Sequence, residues 1–263
     1  DGTSVSLDAQ LTQWYTRRRK DLELADGTPL PLFVEPKIDG ISISLVYENG
    51  VLARAVTRGD GDKGDVVTTQ VLAMRAVPKN IALDGKIEVR GELYIPLAKF
   101  AAYNEGLVAK GEAPLANPRN GCAGLVKRKS TDGLERVGVT SFVYQVAWSE
   151  GLSMKLPTTQ HETLPFLAKL GFSVYDDATC VATSAEEALA FCASFESRRA
   201  SLPYEIDGMV LKVDDLSRHG DLGMTGHHPR WGLAYKFPPE RKPTRVVDIT
   251  VQVGKSGKLT PTR

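Results

Sequence analysis

One stretch constrains this chain more than any other: Leu32-Phe33-Val34-Glu35-Pro36-Lys37-Ile38-Asp39-Gly40, an apolar run that carries a lysine and an aspartate to a glycine and resumes at once as Ile41-Ser42-Ile43-Ser44-Leu45. Two β-prone runs with so short a break require a sheet. Read locally, they form a β-hairpin with a solvated lysine at an Asp-Gly turn. Read chemically, Lys37 is a nucleophile: beside a buried strand end, desolvation and neighbouring cations disfavour an ammonium and leave an amine able to attack phosphorus or carbonyl carbon.

The remaining segments supply helices and further strands. Ser6 precedes Leu7, Leu11, Trp14 and Tyr15 at helical spacing, which predicts a helix over 7–24. Strands at 41–47 and 51–57, joined by Glu48-Asn49-Gly50, extend the Lys37 strand into a meander of three adjacent antiparallel strands. The glycine-rich loop 57–65 opens into a helical pattern over 66–74, with Arg58 at its head able to grip a phosphate with both guanidinium arms. Residues 86–95 alternate as a strand until Gly91, where backbone or ligand must come close, and Arg90 and Glu92 share a face. A carboxylate there suits a sugar hydroxyl, a metal or a cross-strand ion pair.

A helix over 96–109 follows, then an amide-rich loop leading into a short basic helix with Arg119 and Lys127 two turns apart. Residues 139–148 form an apolar strand bearing Tyr144, and 158–171, 172–181 and 184–199 read as helix, strand and helix, the last with Ser184 and Glu187 as a capping box. In the strand 204–213, Ile206, Gly208, Val210 and Lys212 share one face, so a lysine on apolar ground requires an anion. Lys236 repeats the theme in 230–239, which a double proline ends, and a last strand covers 245–254.

Composition narrows the class without choosing the function. The 263 residues are 42% hydrophobic and 25% charged, an ordinary globular balance, and a net charge of +1 argues against a protein that wraps nucleic acid through bulk charge. No run approaches the roughly 18 apolar residues of a membrane span, and Asp1-Gly2-Thr3-Ser4 carries no signal pattern, so the expectation is a cytoplasmic monomer without membrane contact. Cys122, Cys180 and Cys192 lack metal or disulfide spacing and read as small buried side chains. The expected fold is α+β, with antiparallel sheets packed together, helices outside and a cleft between the sheets. Lys37, Lys212, Lys236 and Arg58 would neutralise a nucleotide's phosphates there, beside Glu35, Glu92 and Asp207.

Six motifs in order carry a resemblance: Lys37-Ile38-Asp39-Gly40, Thr57-Arg58-Gly59-Asp60-Gly61, Val89-Arg90-Gly91-Glu92, Ala116-Asn117-Pro118-Arg119-Asn120, Ile206-Asp207-Gly208-Met209-Val210-Leu211-Lys212 and Ala234-Tyr235-Lys236-Phe237. From about Ser6 to Arg263 the chain resembles the adenylation domain of bacterial NAD-dependent DNA ligases, a nucleotidyltransferase with an ATP-grasp-like layout. The resemblance implies that Lys37 takes AMP from NAD with release of nicotinamide mononucleotide, passes it to the 5′-phosphate of a nick in double-stranded DNA, and loses it when the 3′-hydroxyl attacks, as in replication and repair. It further implies that Glu35 and Tyr144 contact adenine with Ser6 and Leu7 along the same base, that Ile38 helps bind the cofactor, and that Arg58, Lys212 and Lys236 hold phosphates. Glu92 would contact the ribose, Asp39 and Asp207 would serve catalysis with magnesium or manganese, and Arg119 and Lys127 would meet the nicked DNA. No residue is assigned as a metal ligand.

Lys127 stands where the family usually has arginine, and Gln145 where glycine is usual. Residues 1–245 would be the adenylation domain and 246–263 the start of an oligonucleotide-binding (OB-fold) domain cut short. The nicotinamide-recognition, zinc-finger, helix-hairpin-helix and BRCT parts of the family are not in this stretch, which by that logic holds adenosine nucleotide but reacts poorly with NAD and does not seal nicks. ATP-dependent polynucleotide ligases, capping-type nucleotidyltransferases and a noncatalytic nucleotide-binding module are the alternatives.

Overall fold

Alternating side chains and closely approaching backbones build two four-stranded antiparallel sheets, as the expected α+β layout requires, and a separate two-stranded one. The computed structural model describes residues 6–59, 63–175, 178–226, 228–238, 243 and 245–262. The first sheet has the order β6-β1-β7-β8, formed by β1 (Leu32–Ile38), β6 (Cys180–Ala182), β7 (Ile206–Val213) and β8 (Gly232–Lys236). The second has the order β3-β2-β4-β5, formed by β2 (Ile41–Glu48), β3 (Val51–Thr57), β4 (Lys86–Tyr94) and β5 (Thr140–Glu150). The strand that carries Lys37 therefore does not pair with the strand that follows it. Asp39 and Gly40 cross from one sheet to the other, Asp39 donating its N–H to Glu205 O at 2.9 Å. A Cβ on Gly40 would lie 2.5 Å from Leu93 O, so only glycine fits this crossing. The expected three-strand meander is corrected accordingly: β2 and β3 form a hairpin, and β1 belongs elsewhere.

Each sheet buries one face. Under the second sheet, Tyr47, Ile87, Leu93 and Val143 pack with Val71 of α2 (Thr68–Met74) and Leu125 of α4 (Pro118–Val126). Under the first, Leu32, Val34, Met209 and Leu211 pack with Leu11 of α1 (Leu7–Asp21) and with Ala188, Cys192 and Phe195 of α6 (Ala185–Arg198). The three α6 residues recur at helical spacing, and full burial of Phe195 alone contributes roughly 2–3 kcal/mol. Ser184 caps that helix by accepting from Glu187 N at 3.2 Å. The aromatic residues Phe142, Tyr175, Tyr204 and Tyr94 contact one another in series within the core of the first sheet, Tyr94 meeting Tyr204 edge to face.

Several boundaries move. Helix α1 ends at Asp21 rather than residue 24 because Glu23 takes a left-handed φ of 52°. The strand expected over 172–181 shrinks to Cys180–Ala182; Ser173 O instead accepts from Val143 N at 3.1 Å outside any regular ladder. The strand expected over 245–254 is Thr250–Val253, β9, paired with β10 (Leu259–Thr262). Cys122 and Cys192 are buried, their thiols pushed up to about 12 by burial, whereas Cys180 is only half-buried. No helix among the described residues is long and apolar enough to cross a membrane.

Candidate active site

Between the two sheets lies a cleft of about 630 Å³. Its walls come from the end of β1 (Glu35 to Ile38), from Val210 and Lys212 of β7, from Ser42 of β2, and from Thr57 and Arg58 at the end of β3. Glu92 of β4, Phe142 and Tyr144 of β5, and Arg119, Ala123 and Lys127 on and just after α4 complete it.

On the first sheet, Glu35 and Lys37 point the same way because they are two residues apart on β1. Glu35 pairs with Val210 and Phe33 with Lys212, so Lys212 is the diagonal neighbour of Glu35 and reaches Oε1 with Nζ at 2.6 Å. This is the anion that a lysine in an apolar strand requires. Only 2% of Glu35 and 5% of Lys212 are exposed. Burial drives the Glu35 carboxyl pKa upward while the ammonium of Lys212 opposes the shift. Glu35 Oε2 has no hydrogen-bond partner among the described residues. The ammonium of Lys212 also lies 4.6 Å from the centre of the Tyr144 ring, a cation–π contact between the sheets.

Lys37 meets Asp207, with Nζ at 2.9 Å from Oδ1 and 3.0 Å from Oδ2, and Lys236 Nζ lies 3.6 Å from the same carboxylate. Strict alternation would turn Asp207 away from the face that bears Lys212. A β-bulge prevents this: Lys37 pairs with Gly208 and Ile38 with Ile206, so Asp207 is passed over and its side chain swings to the lysines. Gly208 makes the tight pairing with β8 possible, since a Cβ there would stand 2.1 Å from Tyr235 O. The nearest charge to Lys37 is thus a carboxylate, a correction to the expectation of a nucleophile surrounded by cations.

The second sheet answers with the same device. Arg90 pairs with Gln145 and Gly91 with Val143, so Tyr144 is the bulged residue and faces the cleft. Gly91 admits the close β5 backbone, with Phe142 O 2.2 Å from where its Cβ would be. Burial raises the Tyr144 hydroxyl pKa, aided by the charges of Glu92 and Glu35. Across the β2–β4 pair, Ser42 Oγ donates to Glu92 Oε1 at 2.5 Å. Desolvation still pushes the Glu92 carboxyl up to about 7 against the pull of Ser42, Lys37, Arg119 and Arg58. Arg90 pairs with Glu88 at 3.0 Å rather than with Glu92. Arg58 is exposed at the cleft mouth, its backbone N–H donating to Ser42 O at 3.1 Å. Of the loop after it, Asp60, Gly61 and Asp62 lie outside the described residues.

The α4 cations are each held by a carboxylate: Arg119 Nη1 to Asp39 Oδ1 at 2.7 Å and Lys127 Nζ to Asp65 Oδ2 at 2.8 Å. Asn117 caps α4 by accepting from Asn120 N at 2.7 Å, which fixes the first turn in which Arg119 follows Pro118.

Lys37 and Lys212 thus both line the cleft, whereas Lys236 and Asp207 are not among its lining residues: Lys236, with 64% of its side chain exposed, is tied to Lys37 only through the Asp207 carboxylate they share. Ser6 and Leu7 do not line it: Ser6 Oγ accepts from Ala9 N as the cap of α1, and Leu7 packs on the core beneath the first sheet. Ser42, Phe142 and Asp65 escaped the sequence reading. The alternation that turns Ser42 toward Glu92 was legible, whereas the Asp65–Lys127 pair joins separate segments that no local pattern relates. No group of three or more His, Cys, Asp or Glu able to hold a metal occurs among the described residues.

Compared with known proteins, residues 4–240 match the NAD-dependent DNA ligase adenylation domain family. The chain is 39% identical over 268 residues to a DNA ligase of Roseiflexus castenholzii, covering 97% of this chain and 36% of that one. It is 41% identical over 247 residues to a DNA ligase of Carboxydothermus hydrogenoformans, covering 93% and 36% respectively. A DNA ligase of Pediococcus pentosaceus is 40% identical over 253 residues, again with 96% of this chain against 36% of the relative. The chain thus spans little more than a third of the length of these relatives, and within that span it belongs to the NAD-dependent DNA ligase adenylation domain family.

Proposed function

We infer that the cleft takes the adenosine half of NAD and that Lys37 receives its adenylyl group, as the first step of sealing nicks in double-stranded DNA. The nucleotidyltransferase, ATP-grasp-like layout belongs to this reading. Its principal support is the convergence of Lys37, Asp207 and Lys236 beside the buried Lys212–Glu35 pair. The Lys37 amine attacks the α-phosphorus, a P–N bond forms, and the bond to the bridging oxygen breaks. Nicotinamide mononucleotide leaves with that electron pair. Asp207, in hydrogen-bond contact with Nζ, is the group to which the amine proton passes.

Arg58, Lys212 and Lys236 neutralise phosphate oxygens, where developing charge makes fixed cations most effective. Tyr144 supplies the stacking surface for adenine, beside Ile38, while the unpartnered Glu35 Oε2 accepts from its exocyclic amino group. Glu92 accepts from a ribose hydroxyl. Arg119 and Lys127 exchange Asp39 and Asp65 for phosphates of the nick, which assigns Asp39 the role of holding Arg119 until DNA arrives.

Magnesium or manganese, if used, finds single carboxylates rather than a cage. Glu92 has no ion pair among the described residues and could supply one oxygen ligand beside the nucleotide's phosphates, the mode magnesium favours. Such an ion would offset phosphate charge. Residues 246–263 read as the start of an OB-fold domain after an adenylation domain over 1–245, supported by the exposed valines Val251 and Val253 of β9, which a larger barrel would bury.

The test is intact mass of the protein carrying this stretch after incubation with NAD. One adenylyl adduct mapping to Lys37, absent in Lys37→Ala and not formed from ATP, is the expected result; labelling from ATP with release of pyrophosphate would transfer the protein to the ATP-dependent ligases.

A further inference from the structure

The bulge that turns Tyr144 into the cleft also removes it from the ladder with β4, which leaves its carbonyl to find another donor. Gln160 provides it. The side-chain amide of Gln160, a residue only 2% exposed, donates from Nε2 to Tyr144 O at 2.7 Å. Gln160 opens α5 (Gln160–Lys169), and its own backbone N–H donates to Asp214 O at 2.7 Å, two residues beyond Lys212 on the other sheet. His161 reinforces the second attachment, its N–H at 2.9 Å from Asp214 Oδ1 and its Nδ1 at 2.6 Å from Oδ2. Thr159 adds a β-bridge to Asp215.

One residue thus joins the strand that carries Tyr144 to the chain that carries Lys212, and the two side chains so joined are those that touch across the cleft at 4.6 Å. A buried primary amide with a donor spent on a bulged carbonyl is an uncommon choice at the first turn of a helix, where serine or aspartate suffices for capping. We propose that Gln160 is a positioning residue that holds the Tyr144 ring against Lys212 and thereby sets the surface on which a nucleotide base stacks. The consequence for ligand affinity rests on the adenylate reading given above; the geometric part does not.

The two parts separate in one experiment on Gln160→Met, which keeps the length of the side chain and removes both donors. The ring current of Tyr144 acts on the ε-methylene of Lys212 in the ligand-free chain, and NMR of that group reads their separation directly. Loss of the ring-current shift in Gln160→Met, with an unchanged far-UV spectrum, is expected, together with AMP affinity about tenfold weaker by calorimetry, the effect of one misplaced contact. An unchanged Lys212 signal overturns the proposal, and so does weakened AMP binding that merely follows a lowered melting temperature. Failure of the unaltered chain to bind AMP would sink the adenylate reading, while the NMR comparison would still decide the role of Gln160. Should Gln160→Met not fold, Gln160→Asn withdraws the amide by about 1.5 Å while keeping its polarity, and the same two readouts apply.

Discussion

A carboxyl whose pKa is raised to about 7 gives Glu92 a titration near neutral pH inside this cleft. In the unfolded chain the same group titrates near 4.5, so between these values the folded state keeps a proton that the unfolded state has lost. Stability attributable to Glu92 is therefore highest below pH 4.5, falls as pH rises to about 7 and is level above. Glu92→Gln removes that slope, and denaturant titrations at pH 5 and pH 8 should find the variant gaining on the parent by roughly 3 kcal/mol across the window. The buried Lys212–Glu35 pair behaves differently, because deleting one partner strands the other charge. Lys212→Met should cost about 3–5 kcal/mol, and adding Glu35→Gln should recover a large part of it. A double-mutant cycle without coupling would contradict the pair's energetic role. Lys37 at an Asp-Gly step, Glu35 two residues before it and the need of Lys212 for an anion were all legible from residue type and spacing. That Lys37 would face a carboxylate was not, since Asp207 reaches it only through a bulge that its own strand pattern conceals.

At the level of strands and helices, two bulges and two glycines do what regular alternation could not. Asp207 and Tyr144 each occupy a passed-over position, beside Gly208 and Gly91, which admit a neighbouring backbone. Gly208→Ala would force a methyl to within 2.1 Å of Tyr235 O. It should destabilise the chain by at least ~2 kcal/mol and uncouple Asp207 from Lys37, which a melting curve and the Lys37 adduct assay would reveal separately. Asn117→Ala deletes the cap of α4 and should cost about 1 kcal/mol, with weaker binding of nicked DNA because Arg119 lies in the first turn of that helix. Unchanged DNA affinity in a folded Asn117→Ala protein would remove Arg119 from the DNA surface. Helix α6 was readable from its capping serine and periodic apolar residues. The strand expected over 172–181 reduces to Cys180–Ala182, because Phe172 packs on Tyr47 and Tyr175 on Phe142 instead of joining a ladder.

For the whole molecule, the cleft exists only because two sheets with separate cores face each other, so a ligand that bridges them should stabilise the entire fold. AMP at a hundredfold excess over its dissociation constant should add about 2.7 kcal/mol, read as a rise in melting temperature of several degrees that Lys212→Met abolishes. An AMP-independent melting temperature would argue that the cleft does not bridge the sheets through adenylate. The strand-forming runs, the glycines at close approaches, the helix caps and the ordered motifs that mark the family can all be read along the chain, because each is a property of a few adjacent residues. Folding in three dimensions was needed to show that β1 leaves β2 at Gly40 to pair with β7, that Asp207 and Tyr144 turn inward, and that Gln160 joins the two walls. Each of those rests on contacts between residues remote in the chain, whose partner and register are chosen by the burial of two opposing sheet faces and not by any local pattern.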